Sequence, residues 1–171
     1  MNLALLLLRL LLAGLLFGHA TQKLFGWFGG AGRAGTGTVF EQWGFVPGAR
    51  LATLAGLLEL AGAASIATGL LTPGGCALVI GTMTVAAVAT APQGFWAQRG
   101  GCEVPFCYGA LAVVLAFSGP GAWSLDHALG LPELSGYVWG AAALLTGLAA
   151  ATVPLSARAR ALRARDSTTT R

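Results

Sequence analysis

LATLAGLLELAGAASIATGLL, residues 51–71, is long enough to span a bilayer and carries a carboxylate, Glu59, near its middle. An acidic side chain at the centre of a membrane helix costs roughly 2.5–3.5 kcal/mol on insertion scales, so it turns toward protein, water or a partner and away from lipid. Ala52, Gly56, Glu59, Ala63 and Ala67 follow one another at steps of three or four. They form one helix face of small residues, which lets a neighbouring helix approach closely. That face is expected to line the inside of a helix bundle.

Composition agrees with this reading. Of 171 residues, 56% are apolar and 9% charged, which places the chain among integral membrane proteins. The formal net charge of +4 does not point to nucleic acid, because five of the ten basic residues lie in the last fourteen positions. Such a run suits a tail held against anionic headgroups. The three cysteines, at 76, 102 and 107, match no zinc or CxxC spacing.

Outward from 51–71, four further spans are expected. Residues 3–23 begin LALLLLRLLLAGLLFGHA, apolar except for Arg9 and His19. The lack of a basic n-region and the interruption by Arg9 favour an uncleaved membrane helix over a signal peptide. On it, Arg9 and Lys23 lie within about 40° of one face, with His19 one turn before Lys23. Residues 75–91 and 104–119 make short third and fourth spans, and 134–155 a fifth with Tyr137 and Trp139 as interfacial anchors. Leu71–Gly75 is expected as the turn of an antiparallel hairpin. Residues 24–50 read as an interfacial or re-entrant loop rich in aromatic residues. Its Gly30, Gly32 and Gly35 spell GxGxxG, but no strand precedes them and no βαβ pattern follows, so a dinucleotide site is rejected. The outer connection before the fifth span carries Asp126, His127 and Glu133, and 156–171 is expected as a mobile basic tail.

Five spans place the termini on opposite sides. With the tail cytoplasmic, Lys23, Arg33, Arg50, Arg99 and the tail arginines all fall inside, so the N-terminus is expected outside. A four-span topology is the alternative.

The polar residues in or near the membrane are Arg9, His19, Lys23, Glu59 and Glu103. In so small a bundle they are expected near one another. If Glu59 pairs with a cation of the first helix, the pair is either a site, for a quinone headgroup or a solute path, or a structural ion pair that fixes packing. Cys102 and Cys107, flanking Pro105, form either a thiol pair near the bundle mouth or two inert thiols. A lone histidine such as His19 has no second histidine within helical reach to make a haem or metal pair.

The runs LLLRLLLAGLLFGHATQKLFGWFGGAGRAGT, LAGLLELAGAASIATGLLTP, GGCEVP and SGPGAWSLD, taken in order, resemble the DoxX family of small bacterial membrane proteins over about residues 3–129. The resemblance implies an all-α integral membrane bundle with a four-helix core, extended here by a fifth C-terminal helix. It also implies a relation to the membrane subunit of a thiosulfate:quinone oxidoreductase, and for some members a complex with a sulfurtransferase and a superoxide dismutase. Carried over by position, Arg9, His19, Gln22, Lys23, Glu59 and Glu103 stand where the family tends to have polar residues. Cys102 replaces the aromatic usual between Gly101 and Glu103.

Two functions of different class follow. In the first, the chain is a subunit of an inner-membrane oxidoreductase coupling a sulfur compound or a soluble redox partner to the quinone pool, with Glu59 handling the proton and Arg9 or Lys23 stabilising charge. His19, Gln22 and Glu103 would then contact the quinone. No flavin, haem or metal motif is present in the sequence, so the resident cofactor is left open. In the second, the chain is a non-enzymatic transporter or assembly scaffold.

Overall fold

The computed structural model describes residues 2–131 and 134–169, and no strand occurs among them. Seven α-helices follow one another: α1 Asn2–Phe25, α2 Gly32–Gln42, α3 Gly48–Thr68, α4 Thr72–Thr90, α5 Glu103–Ser118, the single turn α6 Leu125–Ala128, and α7 Tyr137–Thr169. Helices α1, α3, α4 and α7 are long and apolar enough to cross a membrane, and α5 is a shorter apolar helix of 16 residues. The chain is a helical membrane bundle.

Helix α1 packs on α3, α3 on α4, α4 on α5, and α5 back on α1, while α7 lies outside this ring against α4 and α5. Inside are Leu12, Leu16, Ile66, Val79, Ile80, Met83 and Leu115. Burial along α1 follows the 3.6-residue period through Arg9, Leu12, Ala13, Leu16 and Ala20, whereas Leu3, Leu7, Leu11 and Leu15 face outward, as lipid contact requires. The small-residue face of α3 behaves as its spacing predicts. Ala52, Gly56, Glu59 and Ala63 are buried, and Gly56 meets the Leu24 side chain of α1. Helix α7 reaches α4 just as closely: a Cβ at Gly147 would stand 2.8 Å from the Ala77 carbonyl oxygen.

The end of the bundle at the α3–α4 turn is held by two buried charges. Arg9, 1% exposed, donates from Nε to Ile66 O (2.8 Å), from Nη2 to Ala67 O (2.8 Å), and from Nη1 to Pro120 O (2.8 Å) and Trp123 O (2.7 Å). The first two acceptors belong to the last turn of α3, where carbonyls lack helical partners and the dipole favours a cation. Asp126 does the converse for α4. It accepts from the backbone N–H of Leu71 (2.7 Å) and Thr72 (3.1 Å) and from Thr72 Oγ1 (2.9 Å), at a helix N-terminus that favours an anion. Gly69, at φ +66°, ends α3 in the left-handed conformation and lies directly over the Arg9 guanidinium.

Three sequence expectations change in detail. The α3–α4 turn occupies Gly69–Leu71, and Leu71–Gly75 is mostly the first turn of α4, with Pro73 at a position where a missing N–H costs little. The connection between the first two spans is not simply a loop. Despite three glycines and two threonines in GRAGTGT, it holds α2, because Gly37 lets that helix lie directly on Ala49 of α3. Where a mobile tail is expected after 155, α7 continues through Pro154 to Thr169. Arg158 donates to Trp43 O (2.7 Å) and stacks over the Phe45 ring (5.7 Å), and Arg165 donates to Glu41 O (2.8 Å). Both acceptors lie at the C-terminus of α2, so the basic stretch caps a helix end. Glu133 lies outside the described residues.

Candidate functional site

Glu59 is 1% exposed, and its Oε1 accepts from the Lys23 ammonium, an ion pair bridging α3 and α1. The sequence offers two cations on the relevant face of α1, and only one reaches the carboxylate. Arg9 stands fourteen residues before Lys23, about 21 Å of helix rise away, with its donors spent on carbonyls at the opposite end of the bundle. The expectation that the membrane polar residues gather at one place is corrected for Arg9. In this antiparallel pair, the start of α1 meets the end of α3 and only the end of α1 meets its middle.

The ion pair lies on the wall of a cavity of about 450 Å³. Its inner part is lined by His19 and Lys23 of α1, Glu59 of α3, Met83 of α4, and Pro105 and Tyr108 of α5. The cavity is also lined by Leu54 and Leu58 of α3, Ala86 of α4, and Gly147, Ala151 and Pro154 of α7. Phe40, Trp43 and Phe45 close the end nearest α2. The half-exposed side chain of Leu54 marks a lateral mouth on the outside of the bundle. Among the lining residues the charged ones are Lys23 and Glu59, and most of the remaining wall is apolar. His19 is half-buried and meets Tyr108 edge-on, with ring centroids 5.4 Å apart.

One atom is conspicuous. Glu59 Oε2 is buried and has no hydrogen-bond partner among the described residues. A buried acceptor left unpaired is costly, and more so when it carries charge.

The other sequence candidates stand elsewhere. Gln22 donates from Nε2 to Phe28 O (3.3 Å) and steadies the 3₁₀ turn Trp27–Gly29. Glu103 accepts through Oε2 from the Ala97 N–H (2.9 Å), while its own N–H donates to Phe95 O (2.8 Å), so it closes the loop before α5. Neither lines the cavity. Cys102 is half-buried and Cys107 exposed; both are free thiols, as is the buried Cys76. Among the described residues, no three of His, Cys, Asp and Glu gather as a metal site would need.

Two residues that the structure makes prominent were not singled out from sequence. Tyr108 is a hydroxyl-bearing residue inside an otherwise apolar span, and that isolation was a usable signal. Asp126 was read only as part of an acidic outer connection, and nothing local to SLDH shows that it reaches back to Thr72.

Among known families, a model described as DoxX matches residues 4–92, which takes in α1 to α4 with His19, Lys23 and Glu59. No curated protein and no solved structure matches the chain.

Proposed function

Because the chain belongs to the DoxX family, a family of membrane proteins, we propose that it is the quinone-handling subunit of a membrane oxidoreductase fed by a sulfur compound or a soluble redox partner. The observation that supports this is the apolar cavity, open sideways toward lipid, whose charged wall is Lys23 and Glu59. A quinone is a polar ring on an apolar chain and travels within the bilayer, so a lateral mouth suits its entry. Lys23 donates to a ring oxygen and stabilises the negative charge that builds there during reduction. Glu59, on the same wall, relays protons to the reduced ring. Two electrons from the donor and two protons convert the quinone to its hydroquinone. Arg9 takes no part in this scheme, and His19 and Tyr108 flank the ring.

The protein then belongs in the bacterial inner membrane. The end carrying Lys23, Arg33, Arg50 and the arginines of α7 faces the cytoplasm, and the Arg9 end faces outward. Cys102 and the exposed Cys107 lie on the cytoplasmic side in this orientation. A membrane-impermeant maleimide added to intact cells should leave both unlabelled, and labelling before lysis would reverse the orientation.

The deciding assay is quinone reduction by membranes containing the protein, with thiosulfate or sulfide as donor and the partner proteins present. Glu59→Gln should lower the rate per folded molecule by about 100-fold or more, the scale of a lost proton-transfer group. If Glu59→Gln instead lowers only the amount of folded protein, the ion pair is structural and the scaffold reading takes its place.

A further inference from the structure

The orphaned oxygen of Glu59 restricts what the cavity can hold. A carboxylate paired with an ammonium accepts hydrogen bonds and donates none. Oε1 is occupied by Lys23, whereas the buried Oε2 has no partner among the described residues. Of the residues that line the cavity with it, Leu58, Met83 and Ala86 offer no side-chain donor, and neither the His19 ring nor the Tyr108 hydroxyl donates to it. A ligand can therefore supply the donor that Oε2 lacks.

Resting on the quinone reading above, we propose that the site is built for the reduced ring: it binds the hydroquinone in preference to the quinone, with one ring hydroxyl donating to Glu59 Oε2. An ammonium has three donors, so Lys23 can serve Glu59 and still donate to the oxygen of that hydroxyl. The ligand is thus held by a donor and an acceptor side by side. An oxidised ring presents acceptors alone. It satisfies Lys23, sets a carbonyl oxygen against a carboxylate oxygen, and leaves Oε2 unpaired after the cavity has been emptied of water. A site that expects a hydroxyl discriminates strongly against an analogue lacking one, because the penalty falls on its own buried group.

The test is equilibrium binding to the full-length protein in lipid nanodiscs. Decyl-hydroquinone, decyl-quinone and the dimethyl ether of decyl-hydroquinone are compared anaerobically at matched concentration in the disc lipid. The ether keeps the ring and chain but has lost both donors. The hydroquinone should bind about tenfold or more tighter than either of the others, and Glu59→Gln should erase the difference. Equal or tighter binding of the quinone, or a preference that survives Glu59→Gln, overturns the proposal while leaving a quinone site in place. Failure of all three ring compounds to bind overturns both this proposal and the quinone reading. The ether comparison needs only the wild-type chain, so the result stands even if Glu59→Gln does not fold.

Discussion

Arg9 and Lys23 share a face of α1 and a charge, yet they perform unrelated tasks. The Arg9 fork ties α1 to the last turn of α3 and to the loop before α6. Replacing it by leucine removes a donor from four backbone carbonyls, of which Ile66 O keeps the Gly69 N–H, at a cost of about 3 kcal/mol or more. Lysine keeps the charge but cannot span the same acceptors, so Arg9→Lys should fall between. Unfolding in mixed detergent should show this order, and, under the proposed function, quinone reduction per folded molecule should stay at the wild-type level for both variants. A proportionate loss of turnover in Arg9→Lys would bring Arg9 back to the reaction. The sequence carried half of this distinction. The spacing of small residues in α3 showed that Glu59 faces a neighbour, and the two cations were visible on α1. Angle around a helix does not give depth along it, and depth is what separated them. The antiparallel course of the two helices would have supplied it.

Helix α7 shows the same limit in an element. Its apolar half was legible from hydropathy, but Pro154 is an ordinary sign of a helix end, and the arginines beyond it look like a solvated tail. The helix continues because contacts far away in sequence outweigh one missing rung: Arg158 on the Trp43 carbonyl and Leu162 against Gly44. No local pattern encodes these. Arg158→Ala should free the stretch after Pro154 without unfolding the bundle. Hydrogen exchange of backbone amides should rise by about tenfold or more in 158–167 and change little in α3 and α4. Uniform acceleration throughout would mean that α7 is required for the whole fold. Helix α2 was missed for a related reason, since its glycines weaken a helix in isolation and also permit the contact with α3 that forms it.

Across the whole molecule, the fold class and the order of the spans followed from composition and hydropathy, because a bilayer tolerates few alternatives to a helix bundle. The cavity could not be read in this way. It is the volume left between six helices, and Leu58, Ala86 and Gly147 are unremarkable in their own segments. What the molecule does show is an asymmetry between its two ends. Arg9 and Asp126 staple the bundle where α3 turns into α4, and the cavity is lined by parts of those two helices away from that turn. This is the construction of tweezers, with the pivot at the stapled end. Under the proposed function, a widening that admitted a ring would turn about that pivot. With a lever of about 15 Å along α3 from the Gly69 turn to Glu59, each ångström of added width at the ion pair corresponds to a turn of only about four degrees.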